Sequence, residues 1–355
     1  MKFENNLKNK KILITGNTGF TGSWASLWFN LIGVEIAGFS LLPNTSPSLY
    51  FESGLNKIIT TTFGDISNFV EIFNCINTYE PDLILHLAAQ PLVRYSYLNP
   101  FQTYKSNTLG TLNVLEASRL VKSVKGIVCI TTDKVYDNKE WSWPYRENDK
   151  LGGSDPYSSS KSAAEMIIKG YSKLNKNSSE EFKIFIARGG NIIGGGDWSE
   201  DRLVPDFVRS LVNKSPLLIR YPNSIRPWQH VLALIQAYVM LLSKIIDKDD
   251  DLPLAVNFGP HDIVQFSVQD VISILSSNWL EPEIKYINPN LPEANSLLLD
   301  STIARNKLGW YSAWNIEKTI CNTATWYKQY YENPKNAFKI TLDQIENWKS
   351  SYIEP

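Results

Sequence analysis

A chain of 355 residues with 43% hydrophobic composition carries enough apolar material for two domains or one large one. Its formal net charge of -1 gives no electrostatic case for nucleic acid or an anionic membrane surface as partner. Cys75, Cys129 and Cys321 are odd in number and far apart, which argues against a disulfide framework and for a reducing compartment, the cytoplasm.

The N-terminal MKFENNLKNKK is basic but polar, without the apolar segment of a secretion signal, and no later stretch is long and apolar enough for a membrane span. Strand-like runs follow at Lys11–Thr15, Glu35–Ser40, Asp82–Leu87, Gly126–Thr131 and Phe182–Ala187. Each is rich in Ile, Val or Leu, as in strands buried on both faces of a parallel sheet. Helical patterns lie between them, most clearly at Phe101–Leu120 and Pro156–Leu174. This alternation predicts an α/β fold, a Rossmann-type doubly wound parallel sheet. After Arg188 the texture changes: a Gly-rich GGNIIGGGDW, a helix at 203–213, a strand at Leu217–Arg220 and a strong helix at Ala233–Ile246. The acidic run Asp247–Asp251 reads as a solvated loop. From about Phe258, short strands mix with helices at 267–276, 301–308 and 316–331. The division expected is a dinucleotide-binding domain at 1–188 with a return segment at about 225–260, and a smaller mixed α/β substrate domain from 189–224 and 261–355. His86, His230 and His261 show no metal-ligand spacing, so no metal is expected.

The first strand runs into TGNTGFTGSW, with glycines at 16, 19 and 22. Gly16 permits the tight turn, Gly19 lets the backbone approach a pyrophosphate, and Gly22 lets helix and strand pack closely. An ordinary Gly-rich turn uses the same residues, but a strand before and a helix after are the context of a dinucleotide site. The second strand ends in GFSLLPN, with Ser40 where an acid often holds the adenosine ribose, and no Arg stands ready for a 2′-phosphate. The choice between NAD and NADP is therefore open at this point. Asp65 in FGDIS is equally a candidate for the adenine edge and for a helix cap before Asn68–Ile76.

In GGSDPYSSSKSAAE, Pro156 suits a first helical turn, and Tyr157 and Lys161 fall four residues apart on one face. A phenol with a pKa of about 10 is a poor base at neutral pH, but a neighbouring ammonium favours its phenolate. The pair can then take a proton from a hydroxyl. Tyr and Lys at this spacing also occur by chance. Their place one crossover after ITTDKVYD and behind a glycine loop is what gives them weight. Asp133 and Lys134 read equally as a loop ion pair and as catalytic groups. Arg226 in SIRPWQHV is the first candidate for a diphosphate, with Arg202 and Arg94 next, because Arg matches phosphate oxygens in a bidentate way. Each serves equally in a salt bridge. Trp228 is a core residue or a stacking platform with even weight.

Together the glycine loop, the Tyr-x-x-x-Lys pair and the Thr-rich strand end resemble the extended short-chain dehydrogenase/reductases that act on nucleotide sugars. The stretches GNTGFTGSW, AAQPLVRYSY, TTDKVYDN, GGSDPYSSSK, GGNIIGGGDW and IRPWQHV narrow the resemblance to the 4,6-dehydratases, and to the subgroup acting on CDP-glucose. It runs from about residue 8 to the C-terminal segments. It implies NAD as cofactor, with contacts from Gly16, Thr18, Gly19, Phe20, Thr21, Gly22, Asp65, Ile66, Leu87, Ala88, Ala89, Tyr157 and Lys161. It implies that Thr132 orients a sugar C4 hydroxyl beside Tyr157, and that Asp133 donates a proton to the departing C6 oxygen. Lys134 stands where most sugar-nucleotide dehydratases carry Glu. It is either the C5 base, which requires a lowered pKa, or a cation stabilising the enolate. Gln90, Arg94, Asn191, Arg202 and Arg226 become the substrate-binding set. The helices at 101–120 and 156–174 are expected to pair across a homodimer, with a homotetramer as a further step. An epimerase or dehydrogenase on the same scaffold needs Tyr157 and Lys161 but not Asp133 and Lys134, and a non-catalytic NAD-binding regulator needs neither pair.

Overall fold

The computed structural model describes residues 1–175, 182–248, 251–260, 266–288 and 296–354. A seven-stranded sheet organises the chain: β1 (Lys11–Thr15), β2 (Glu35–Ser40), β3 (Thr60–Phe63), β4 (Leu83–His86), β5 (Gly126–Thr132), β6 (Lys183–Gly189) and β7 (Ala255–Phe258). Its order is β7-β6-β5-β4-β1-β2-β3, and every neighbouring pair is parallel. The chain winds outward from β1 in one direction, then returns to β4 on the other side of β1. The carboxyl ends of β1 and β4 therefore flank the switch point, where doubly wound sheets open a crevice.

The longer helices are α1 (Phe20–Leu31), α2 (Phe69–Tyr79), α3 (Gly110–Leu120), α4 (Pro156–Asn175), α5 (Leu203–Val212), α6 (Val231–Ile246), α7 (Val268–Asn278), α8 (Ile316–Glu332) and α9 (Ala337–Ser351). Successive strand residues point to opposite faces. Ile12, Ile14, Leu83, Leu85 and Val128 thus join one apolar cluster with α1, α6 and the C-terminal helices. Leu13, Ile84, Ile127 and Cys129 join a second one with α2 and α3. The first cluster runs from Trp24 and Trp28 on α1 through α6 to Trp326 on α8 and Trp348 on α9, all buried. The C-terminal helices are thereby packed onto the helix that follows the glycine loop.

Five of the seven strands match the expected runs within two residues. The edge strand β3 (TTTF) has no Ile, Val or Leu and is mostly exposed, so it lacked the apolar signature. β7 also went unpredicted, as did α9. The helix expected over Phe101–Leu120 is interrupted: Pro100–Tyr104 is α-helical, Lys105–Leu109 is a π-turn, and α3 follows. At 301–308 the structure forms a five-residue π-turn, Ala304–Leu308. α6 starts at Val231 because the His230 ring caps it, Nδ1 accepting from the Leu232 amide at 3.3 Å. Asp247 ends α6 and accepts from Asn6, while Asp249, Asp250 and His261 lie outside the described residues. No helix among the described residues is long and apolar enough to cross a membrane, and none of their His, Cys, Asp and Glu side chains cluster to hold a metal.

Candidate active site

A cleft of about 890 Å³ opens over the carboxyl ends of the strands, from the glycine loop to Arg226. At one end Gly16 has φ +76°, and a Cβ there would lie 2.8 Å from the Ala88 backbone. A Cβ on Gly22 would lie 2.1 Å from the Gly16 carbonyl oxygen, so β1, α1 and the segment after β4 meet at backbone distance. Gly19 is the N-cap of α1 and offers no side-chain cap, which leaves the first amides of the helix for an anion. This is a cradle that fits a dinucleotide pyrophosphate. Thr18, Phe20, Thr21, Ile66, Leu87, Ala88 and Ala89 line the same end. Ser40 pairs with Thr18 at 2.7 Å while Thr18 donates to the Leu41 carbonyl at 2.8 Å, so the ribose end presents hydroxyls and no charge. Asp65 lines the cleft and accepts from the Ser67 amide, with Lys105 Nζ at 3.8 Å. The cap of α2 is Asn68 instead, accepting from the Val70 amide.

At the centre, α4 lies against β5 and brings its first two turns to the end of that strand. Tyr157 and Lys161 are both nearly buried. Burial pushes the Tyr157 phenol up to about 12 against the pull of the Thr132 hydroxyl. Burial also pushes the Lys161 ammonium down to about 8, and its Nζ donates to the Ile130 carbonyl at 3.2 Å. Thr132 Oγ1 donates to Asp133 Oδ1 at 2.9 Å, and Asp133 is 1% exposed. Its other oxygen, Oδ2, is buried with no hydrogen-bond partner among the described residues. Lys134 Nζ sits 3.7 Å from Asp133 Oδ1 and 3.5 Å from Asn191 Oδ1. A phenol–ammonium pair and a carboxyl–amine pair thus share one pocket, which suits several proton transfers on one small polyol.

Two supports under this pocket were not read from the sequence. The π-turn turns Asn107 inward, where Oδ1 accepts from the Gln90 amide at 2.8 Å and Nδ2 donates to the Gln90 carbonyl and to Ser160 Oγ. Such turns recur at functional sites because they re-aim one side chain. The Gln90 side chain is itself spent on Thr103 and the Leu92 amide, and Gln90 does not line the cleft. The second support is a buried ion pair. Arg188 on β6 reaches Glu165 on α4 through Nε and Nη2, and Thr131 Oγ1 on β5 donates to the same carboxylate at 2.6 Å. Burial pulls the guanidinium down, but the Glu165 carboxylate outweighs it and the net shift is upward. Arg188 also donates to the Tyr136 hydroxyl, which donates to Asn257 on β7. Glu165 stands one turn beyond Lys161, so its spacing was visible in the sequence and its partner was not. His86 bridges Thr15 at 2.7 Å and Thr111 at 3.1 Å. Burial, then the Lys161 charge, pushes its imidazole down to about 3, so it is neutral.

At the far end Asn191, Arg94, Arg202, Arg220 and Arg226 line the cleft. Arg202 pairs with Asp197 at 2.9 Å, and its charge reaches Tyr157. Arg226 Nη1 donates to the Ile225 carbonyl at 3.0 Å. Trp228 is buried in the main cluster and also lines the cleft, its Nε1 donating to the Phe266 carbonyl. The Gly194–Gly196 loop is held from both sides: Trp24 on α1 donates to the Gly195 carbonyl at 2.8 Å, and a Cβ on Gly195 would strike Trp326 at 2.0 Å.

Residues 13–323 match the family model described as GDP-mannose 4,6-dehydratase. The chain is 39% identical over 327 residues to a CDP-glucose 4,6-dehydratase of Salmonella typhimurium, covering 90% of this chain and 91% of that protein. It is 26% identical over 343 residues to the dTDP-D-glucose 4,6-dehydratase of Homo sapiens, covering 93% of each. Among solved structures, UDP-glucose 4-epimerase of Thermus thermophilus in complex with NAD superposes with a TM-score of 0.78 at 21% identity, over 90% of this chain and 99% of that one. The dTDP-glucose 4,6-dehydratase of Bacillus anthracis in complex with NAD gives 0.76 at 20%, over 94% and 99%. These likenesses confirm the doubly wound α/β fold.

The Glu165–Arg188 pair makes a stability prediction. Glu165→Gln strands a buried guanidinium and is expected to cost about 3–5 kcal/mol, whereas replacing both residues by Met restores most of that loss. Equilibrium denaturation of the single and double variants checks it.

Proposed function

Because the chain belongs to the GDP-mannose 4,6-dehydratase family of nucleotide-sugar enzymes, we propose that it is an NAD-dependent hydro-lyase converting CDP-glucose to CDP-4-keto-6-deoxyglucose and water. The observation that carries this is that Thr132, Asp133 and Lys134 line the same cleft as Tyr157, with Asp133 buried and Lys134 partly so. Simple oxidation or epimerisation uses Tyr157, Lys161 and a hydroxyl. Elimination needs a further acid and base, and Asp133 and Lys134 are there to serve.

Gly16, Gly19 and Gly22 with Thr18, Phe20, Thr21, Asp65, Ile66, Leu87, Ala88 and Ala89 would hold NAD. NAD supplies reversible hydride chemistry and ends the cycle as it began. Thr132 orients the C4 hydroxyl, and Tyr157 takes its proton. The Lys161 ammonium, one turn further along the same helix, would favour the phenolate through its charge. The C4 ketone makes the C5 proton acidic, and Lys134, standing between Asp133 and Asn191, serves C5. Asp133 gives a proton to the C6 oxygen; its Oδ2 is buried with no hydrogen-bond partner among the described residues and so is available to carry that proton. Asn191 with Arg94, Arg202 and Arg226 would take the diphosphate and sugar. Residues 1–188 with about 225–260 would form the cofactor unit, and 189–224 with 261–355 the cover over the nucleotide sugar. The three free thiols accord with a cytoplasmic place.

A homodimer is part of this proposal. Leu98 and Phe101 are each 81% exposed beside the π-turn, and Met166 on α4 is 63% exposed. Phe101 and Met166 lie in the two segments expected to pair, 101–120 and 156–174, and Leu98 lies just before the first.

Incubation with NAD and CDP-glucose in deuterated water is expected to yield a 4-keto-6-deoxy sugar with deuterium at C5 and no accumulating NADH. Net NADH, or full turnover by Asp133→Ala, overturns the lyase assignment. Lys161 is charged below about pH 8 and neutral above it. Turnover should therefore fall as pH rises through about 8, and a pH–rate profile still climbing at pH 9.5 contradicts this role. Phe101→Asp should turn the dimer into monomers in sedimentation, with the circular dichroism spectrum unchanged.

A further inference from the structure

Three of the four arginines at this end of the cleft, Arg94, Arg202 and Arg220, are already engaged by carboxylates of the chain itself. Asp201 lies in the loop before α5, and a single oxygen, Oδ1, accepts from two guanidiniums. Arg94 Nη1, on the short helix Val93–Leu98 after β4, is 3.1 Å away. Arg220 Nη1, just beyond the strand Leu217–Ile219, is 3.3 Å away. All three residues line the cleft. They come from opposite sides of it, Arg94 from the sheet and Asp201 and Arg220 from the cover. Asp201 also holds φ +57°, a left-handed conformation that Asp and Asn tolerate better than other side-chain-bearing residues.

We infer that Asp201 sets the affinity for the nucleotide sugar: its carboxylate occupies Arg94 and Arg220 in the ligand-free cleft and yields them to the incoming diphosphate. This rests on the ligand being a nucleoside diphosphate sugar. A carboxylate and a phosphate present similar anionic oxygens to guanidinium, so one replaces the other without rebuilding the site. A diphosphate carries more charge than one carboxylate and reaches both arginines at once. A nucleoside without phosphate has nothing to exchange. Asp201 is about 39% exposed at the side chain and Arg94 about 36%, so neither ion pair is locked in by burial. Asp206, nearby on α5, is paired with Arg209 on its own helix and also feels the Arg220 charge, but it makes no hydrogen bond to Arg94 among the described residues. Without Asp201, Arg94 and Arg220 would lose the one carboxylate oxygen that they share.

The test compares the full-length protein with Asp201→Asn, which removes the charge and keeps a residue suited to the same backbone. Binding of CDP, UDP, dTDP and cytidine is measured by calorimetry at low and at moderate salt. Asp201→Asn is expected to tighten the diphosphate roughly three- to ten-fold at low salt, to leave cytidine unchanged, and to lose most of the gain at moderate salt. The gain should also disappear in Asp201→Asn carrying Arg94→Gln and Arg220→Gln. Unchanged or weaker diphosphate binding overturns the inference, as does equal tightening of cytidine. Should UDP or dTDP bind in place of CDP and still be tightened, the role of Asp201 is supported while the choice of base in the proposed function falls.

Discussion

The catalytic cleft depends on how α4 is clamped against β5 and β6. Tyr157 and Lys161 sit on that helix, Thr132 and Asp133 on the strand end, and no covalent link fixes one relative to the other. The clamp is the Glu165 carboxylate, which takes Thr131 from β5 and Arg188 from β6 at once, in a site almost closed to water. A buried ion pair is weak evidence for net stability, because desolvation offsets its attraction. Its directional bonds do fix register. They hold the helix so that Lys161 meets the Ile130 carbonyl and Tyr157 stands beside Thr132.

The same balance of charge recurs at the centre of the cleft and at the end away from the glycine loop. The chain places cations there but leaves few of them without a counter-ion: Lys134 faces Asp133, Arg202 faces Asp197, and Arg94 and Arg220 face Asp201. Under the inference drawn for Asp201, an anionic ligand would enter by exchange rather than by filling an open field. The cofactor end is built differently, from backbone amides at an uncapped helix start and from the Thr18 and Ser40 hydroxyls. One ligand is met by formal charges and the other chiefly by dipoles.

The pattern of strands and the glycine spacing were legible in the sequence because each rests on local chemistry. Short apolar runs of the kind buried on both sheet faces give β1, β2, β4, β5 and β6, and a glycine is needed where backbones touch. The Tyr157–Lys161 pair was legible for the same reason, as a helical spacing. β3 was hidden because an exposed edge strand of threonines carries no apolar code, and the break at Lys105–Leu109 because a π-turn leaves no compositional mark. The partner of Glu165 was out of reach in principle. Arg188 is 23 residues further on, on another element, and only the packing of α4 over the sheet brings them together. Gln90 shows the converse. The family resemblance implied a ligand contact for it, yet its amide is consumed in bracing the turn around Asn107.

The hydrogen bond from Trp24 to the Gly195 carbonyl, with Trp326 closing on the same glycine from α8, has a consequence for how such enzymes diverge. The Gly194–Gly196 loop borrows its shape from the first helix and from a residue some 130 positions downstream. It cannot be transplanted between homologues as a cassette. A chimera that exchanges the loop without both tryptophans would carry the right letters on the wrong hinge, so inheritance of a new sugar preference must proceed by coordinated change in three distant parts of the gene.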